Sequence, residues 1–306
     1  MIHFLALLGV LSISFSAVFI RLARVSPVAA TFYRAAYAIP VLVVISLAGR
    51  SRDTRTRREH LLAFVSGLFL AADLDLWHES IALVGAGLAT VLPNVQIVFV
   101  ALVVWTRQGE RPSARTIAMI AVVLAGVALT SGLGRAGAYG TNPPKGVALG
   151  VAAGVCYGIF LIVFRASNRA LVPPARPLLD ATVGTALGAL LSAGLDPHFT
   201  LTVSREAHLW LLALALVSQV IGWLLIATAL PRLPAVETSV LLLAQPVFAI
   251  AWGVMFFAER LSSLQWMGSA IVLAGVAVLS LSGVAPATPS IVHHDDQRRN
   301  RRTCRS

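Results

Sequence analysis

Four residues in one apolar stretch, Asp73, Asp75, His78 and Glu79 in ADLDLWHES, are the strongest chemical signal in the 306-residue chain. Carboxylates and an imidazole held together can exchange protons near neutral pH or bind the polar groups of a solute. On a regular helix, at about 100° per residue, Asp75, His78 and Glu79 fall within an arc of about 100°, whereas Asp73 points to nearly the opposite side. The arc of three reads as a cavity wall. Asp73 then meets a different neighbour, or the helix is locally unwound. The alternative reading is interhelical hydrogen bonding alone, with His78 fixed by a carboxylate and Asp73 tied to Arg34. No second carboxylate pair accompanies Asp73-x-Asp75 in an apolar stretch. No metal site is therefore expected.

Arg34, in TFYRAAYAIP, is the one basic residue inside an apolar stretch. Its guanidinium fork suits a carboxylate, whether of a solute or of one of the acids above. Near an interface it could also reach the headgroups. Asn94 and Gln96 follow Pro93, and Gln245 precedes Pro246. Proline removes a backbone hydrogen bond, so both places are candidate kinks whose freed carbonyls line a cavity or pack on a neighbour. Gln219 and Trp223 share a helix face at i,i+4 and make a candidate opposite wall. Tyr157 and Trp77 are candidates for an aromatic lining, or for ordinary helix packing. Four-residue spacing of Gly146, Gly150, Gly154 and Gly158, and of Gly184, Gly188 and Ser192, predicts closely packed helices. Asp180 suits a helix N-terminus, and Glu110 and Glu259 read as structural corners.

These residues sit in a chain with 58% hydrophobic and only 12% charged residues, at a mean hydropathy of +0.83. A soluble chain carries about 25% charged residues, so a soluble enzyme and a disordered regulator are excluded. A nucleic-acid binder is excluded as well, despite the net charge of +11. The two cysteines, Cys156 and Cys304, suggest no disulfide framework. Cutting the chain at its charge and Pro/Gly clusters predicts ten spans of roughly 20 residues, near 2–20, 28–48, 61–83, 87–106, 115–132, 146–164, 178–195, 208–230, 235–257 and 265–283. The first is read as retained rather than as a cleaved signal, because no Lys or Arg precedes Arg21. With both termini cytoplasmic, most of the basic residues fall inside, led by the 50–58 loop and the tail. The tail 284–306 reads as a disordered basic cytoplasmic segment.

Sliding the chain over itself by 149 residues superposes VLAGVA at 123–128 on VLAGVA at 272–277. The same offset brings Glu110-Arg111 onto Glu259-Arg260, Phe99 onto Phe248, Gln96 onto Gln245 and Thr90 onto Ser239. Two halves of five spans are implied, 1–132 and 146–283. An odd number of spans inserts the second half inverted, as in secondary transporters. Helices ending in Gly109-Glu110-Arg111 or Ala258-Glu259-Arg260-Leu261, followed by a polar turn and a Gly-centred apolar helix, resemble the EamA repeat of the drug/metabolite transporter superfamily. The stretch ADLDLWHESIALVGAGLATVLPNVQIVF at 71–98 resembles a bacterial branch of it, matching at Asp73, Trp77 and His78. The resemblance implies ten helices in two inverted halves around a central cavity, moving small metabolites across the plasma membrane by alternating access. An Arg near the position of Arg34 also recurs in EamA repeats.

The expectation is thus an all-α integral membrane protein of ten transmembrane helices in two inverted five-helix repeats. Its function is read as that of a secondary transporter, an exporter or exchanger of small organic metabolites or drugs, with proton coupling through the 73–79 segment. It lies in the cell membrane with both termini cytoplasmic. The expected partners are a small-molecule substrate and the lipid bilayer, with a homodimer left open and no nucleic acid. Neither a cofactor nor catalytic residues are expected. The alternatives are a membrane-embedded enzyme, for which the spans offer no nucleophile with its base, and a receptor or scaffold without flux.

Overall fold

A computed structural model describes residues 2–49, 53–96, 98–99, 140–167, 173–229 and 244–281, with scattered positions between 102 and 129. Every regular element among them is helical. Among the described residues six helices are long and apolar enough to cross a membrane: His3–Ala23, Pro27–Ala48, Arg57–Val84, Pro143–Phe164, Ala175–Leu195 and Arg205–Thr228. They coincide within a few residues with six of the expected spans. The greater part of the 115–132 span, the Glu110-Arg111 pair, Ser239 and the tail 284–306 lie outside the described residues.

In chain order the helices are α1 (Ile2–Ser14), α2 (Ser16–Ala23), α3 (Pro27–Ala48), α4 (Arg57–Val84), α5 (Ala86–Val91), α6 (Pro143–Ser167), α7 (Ala175–Ser192), α8 (Arg205–Ala213), α9 (Trp223–Ala229), α10 (Ala244–Phe257) and α11 (Ser263–Leu281). Polar caps set several starts. Ser26 accepts from the Ala29 N–H and Pro27 opens α3, where a missing N–H costs nothing. Thr56 and Glu59 close a reciprocal capping box on α4. Ser204 accepts from the Ala207 N–H to open α8. Gly85, at φ 83°, separates α4 from α5 in a single residue, a backbone region that favours glycine.

Helix α4 is the axis of the bundle, packed along α6 and α7. Its approach to α7 needs Gly67, because a Cβ there would lie 1.9 Å from the Ala181 carbonyl oxygen, and one on Gly184 would lie 2.0 Å from that of Phe64. Gly146, Gly150 and Gly154 likewise seat α6 on Val84, Leu92 and Pro93. The predicted glycine faces are therefore helix-packing faces.

Two ends of the bundle are tied by charge. At one, Lys145 Nζ meets Glu79 Oε1 at 2.8 Å. There Glu259 pairs with Arg21 and accepts the Ala86 and Gly87 N–H groups, capping α5. Arg21 also covers the Phe257 ring at 4.0 Å. Glu259 is a structural corner, as its position predicted. At the opposite end Arg55 Nε and Nη2 donate to Asp53. Arg55 Nη1 stands 2.8 Å from Asp180 Oδ2, an ion pair off the line of a hydrogen bond. His60 Nδ1 lies 2.8 Å from the same Asp180 oxygen.

Candidate functional site

Between these ends, polar side chains from α3, α4, α6 and α7 converge with others from the helix that begins as α8. They lie roughly 10 to 20 Å along their helices from the Lys145 end, at 1.5 Å per residue. Arg34, 2% exposed, is the centre. Its Nε donates to Gln219 Oε1 at 2.8 Å. Gln219 Nε2 donates to Thr182 Oγ1 at 3.3 Å, and the Thr182 hydroxyl donates to the Leu178 carbonyl at 2.7 Å. This relay fixes the orientation of the Gln219 amide and ties α7 to α3.

The relay leaves part of the guanidinium unused. Arg34 Nη1 is buried without a hydrogen-bond partner. Asp73, 7% exposed, and Tyr157 stand within electrostatic reach of it. The anticipated tie between Asp73 and Arg34 is thus one of charge proximity, while Gln219 makes the hydrogen bond. Tyr157 packs edge-on to Trp223 at 6.4 Å between ring centroids and stacks on Phe160 at 5.7 Å. A guanidinium with spare donors, a nearby carboxylate and an aromatic wall can hold an organic solute by a polar head and an apolar body.

The expected arc of Asp75, His78 and Glu79 divides. Glu79 faces α6, while Asp75 and His78 both reach Thr31 on α3, a difference of neighbour that a helical projection does not show. Glu79, its side chain 43% exposed, belongs to the end pair with Lys145. His78, 3% exposed, places Nδ1 3.1 Å from the Pro27 carbonyl and 3.3 Å from Thr31 Oγ1, and its Nε2 has no partner. Both carboxylate oxygens of Asp75 are buried without a hydrogen bond, with Thr31 and Ser192 the hydroxyls near it. Trp77 donates from Nε1 to the Ala89 carbonyl at 3.1 Å and packs against His78. It therefore anchors α5 to α4.

The expected kink at Pro93 takes the form of a 3-10 turn over Leu92–Val95. Asn94 is absorbed in it, donating to the Thr90 and Val91 carbonyls. Gln96 follows, half-buried, with an unpartnered buried Oε1. Gln245, also half-buried, opens α10. The structure adds Thr31 and Thr182 to the residues named from sequence. Thr31 lies one turn before Arg34 on the same face, a signal that sequence carries; Thr182 has no local signal. The segment holding Gln219 was also unforeseen: Leu214–Gly222 runs as a π-helix between α8 and α9. Among the described residues no group of three or more His, Cys, Asp or Glu is placed to hold a metal ion.

The model of the EamA-like transporter family matches residues 1–132 and 144–281. An uncharacterized transporter of Archaeoglobus fulgidus is 24% identical over 133 residues, 44% of this chain and 47% of that protein. The uncharacterized transporter YwfM of Bacillus subtilis is 26% identical over 148 residues, 48% of this chain and 49% of that protein. The aligned region thus spans about half the length of each of these relatives. A solved structure titled only as the crystal structure of a protein superposes with a TM-score of 0.64 over 92% of this chain and 98% of its own, at 18% identity, a likeness of fold alone. The family match takes in most of the sequence and both sets of helices that build the site, and on that ground the chain belongs to the EamA-like transporter family.

Proposed function

We propose that the protein is a secondary transporter that carries small organic solutes across the cell membrane by alternating access. Ten spans in two inverted halves, read from the 149-residue offset, give an architecture suited to this. Both termini are cytoplasmic, which places the Arg55 end inside, in line with the excess of arginine there. One observation carries the reading. Arg34 is buried deep in the bundle with an unpartnered nitrogen, beside Asp73 and the Tyr157–Trp223 wall. A buried cation with spare donors is costly unless a ligand completes it. Asp73, Asp75 and His78 supply proton-exchanging groups close to that site, so solute movement is coupled to protons.

The test is reconstitution in liposomes with a panel of amino acids, nucleosides, sugars and aromatic cations, with and without a pH gradient. The expected result is accumulation of one class that responds to the gradient, lost in Asp73→Asn and in His78→Ala while both variants still insert and fold. If the folded protein accumulates no solute, the receptor or scaffold reading stands. Wild-type rates in both variants remove proton coupling from α4.

A further inference from the structure

The helix from Arg205 to Ala229 changes register twice, from α to π over Leu214–Gly222 and back. A π-turn closes its hydrogen bonds one residue further along than an α-turn. It therefore rotates the residues on its N-terminal side relative to those on its C-terminal side. The rotated residues are placed to matter. Before the π-segment, His208 Nδ1 lies 2.5 Å from the Tyr37 hydroxyl, and its ring meets Tyr33 edge-on at 5.4 Å. Tyr33 in turn donates to the Leu201 carbonyl at 2.6 Å. These contacts join α3 to the start of α8 and to the loop before it. Within the π-segment, Gln219 grips Arg34 and Thr182. After it, Trp223 meets Phe160 edge-on at 5.5 Å.

A π-register is a strained local choice that persists where its surroundings hold it. Here the polar grip inside the segment is the Gln219 relay, together with the Ser218 hydroxyl donating to the Ser12 carbonyl at 3.2 Å. Gln219 uses its oxygen on Arg34 Nε and its nitrogen on Thr182, so it aims the guanidinium and leaves Nη1 open. We infer that Gln219 is a positioning residue which couples Arg34 to closure of the Tyr37–His208 contact through the π-register, with Thr182 as its support. Losing the Arg34–Gln219 bond lets the segment relax toward α and turns His208 away from Tyr37. One two-state element is thereby biased from both places, which is the physical requirement for coupling. The inference rests on the reading of the Arg34 site as the transport site.

The test needs no solute. In full-length protein in lipid nanodiscs, with Cys156→Ser and Cys304→Ser as background, a Tyr37→Cys, His208→Cys pair is bridged with a bifunctional maleimide, because a contact made at the tips of the two side chains leaves their Cβ atoms too far apart for a direct disulfide. Amide hydrogen exchange over 214–222 is followed in parallel. Adding Gln219→Leu is expected to slow cross-linking by about fivefold or more and to change exchange over 214–222. Gln219→Glu keeps an oxygen for Arg34 Nε and is expected to restore both. Thr182→Val, a change of similar volume at the far end of the relay, is expected to slow cross-linking less than Gln219→Leu. Wild-type cross-linking and exchange in Gln219→Leu overturn the coupling, as does an equal loss in Gln219→Glu. Neither readout depends on transport. A protein that carries nothing in liposomes can still show the coupling, and a working transporter that ignores Gln219 loses only this inference.

Discussion

Among the described residues two arginines have buried side chains, and they use their guanidinium groups in opposite ways. Arg55, its side chain 1% exposed, faces Asp53 on one side and Asp180 on the other. Arg34 gives Nε to a neutral amide, keeps Nη1 unpartnered and stands near Asp73 without a hydrogen bond to it. The first is an ion-paired contact between the 53–56 turn and α7, whose Nη1 lacks a hydrogen bond but stands 2.8 Å from the Asp180 carboxylate. The second retains unused donors in the interior, where an unmet polar group costs about 1 to 3 kcal/mol. A folded chain tolerates that cost most readily where a ligand relieves it. The difference separates a clamp from a site more sharply than burial or charge does, since both arginines are buried and both have acids nearby.

The largest expected effect comes from the packing that serves both regions. Gly67 lies on α4 between them, and a Cβ there would meet the Ala181 carbonyl oxygen at 1.9 Å. That obstacle is backbone and cannot rotate away. Gly67→Ala must therefore separate α4 from α7, costing about 3 kcal/mol or more and displacing Asp73, Asp180 and Thr182 together. Size-exclusion chromatography and thermal melting in detergent are expected to show little folded protein. A normal melting curve would mean that the two helices are not the rigid unit their spacing implies.

The next effect distinguishes the two arginines directly. Lysine keeps the charge but loses the planar fork and the Nε donor. Arg34→Lys is expected to lower uptake in the liposome assay by about tenfold or more with a small change in melting temperature. Arg55→Lys should do the reverse, leaving uptake intact and lowering stability by about 1 to 2 kcal/mol. This is less than the roughly 3 to 5 kcal/mol for a fully buried pair, because Asp53 and Asp180 keep 28% and 25% of their side-chain surface exposed. Equal losses of uptake in the two variants would erase the distinction.

Much of the clamp and less of the site is legible in sequence. Apolar length and caps place α3, α4, α6 and α7 within a few residues, and Ser26-Pro27 and Thr56-x-x-Glu59 mark two of the starts. Asp180 reads as a residue of a helix start, and its partner Arg55 lies in a basic loop predicted for the same end. Helix projection also separates Asp73 from Asp75, His78 and Glu79, and α4 keeps that separation. What projection lacks is the neighbour. Glu79 faces Lys145 on α6, while His78 faces Thr31 on α3, so one arc serves different helices. Arg34 and Gln219 are 185 positions apart, and no local periodicity announces such a pairing. The π-register that presents Gln219 leaves no mark either, because LALVSQVIG is equally suited to an α-helix.

The smallest expected effect examines the clamp alone, through its pH dependence. Hydrogen bonding from Arg55 holds the Asp53 carboxyl down at about 2, from an ordinary value of 3.8. Arg55 is itself raised: burial acts against its charge, but the bond to Asp53 and the charge of Asp180 more than offset it. A carboxyl whose value is depressed on folding binds fewer protons folded than unfolded. Its contribution to stability is therefore complete above the ordinary value and is lost as pH falls through the depressed one. In detergent, the melting-temperature difference between the wild type and Asp53→Asn is expected to be constant from about pH 7 to about pH 5, to shrink below about pH 4 and to vanish only below about pH 2. His60 touches both Asp53 and Asp180, so the same comparison in His60→Gln separates its contribution from that of Arg55. If the difference persists unchanged to the acid limit, the Asp53 carboxylate is not what holds the 53–56 turn, and the contrast with the unfinished Arg34 site must rest on Asp180 alone.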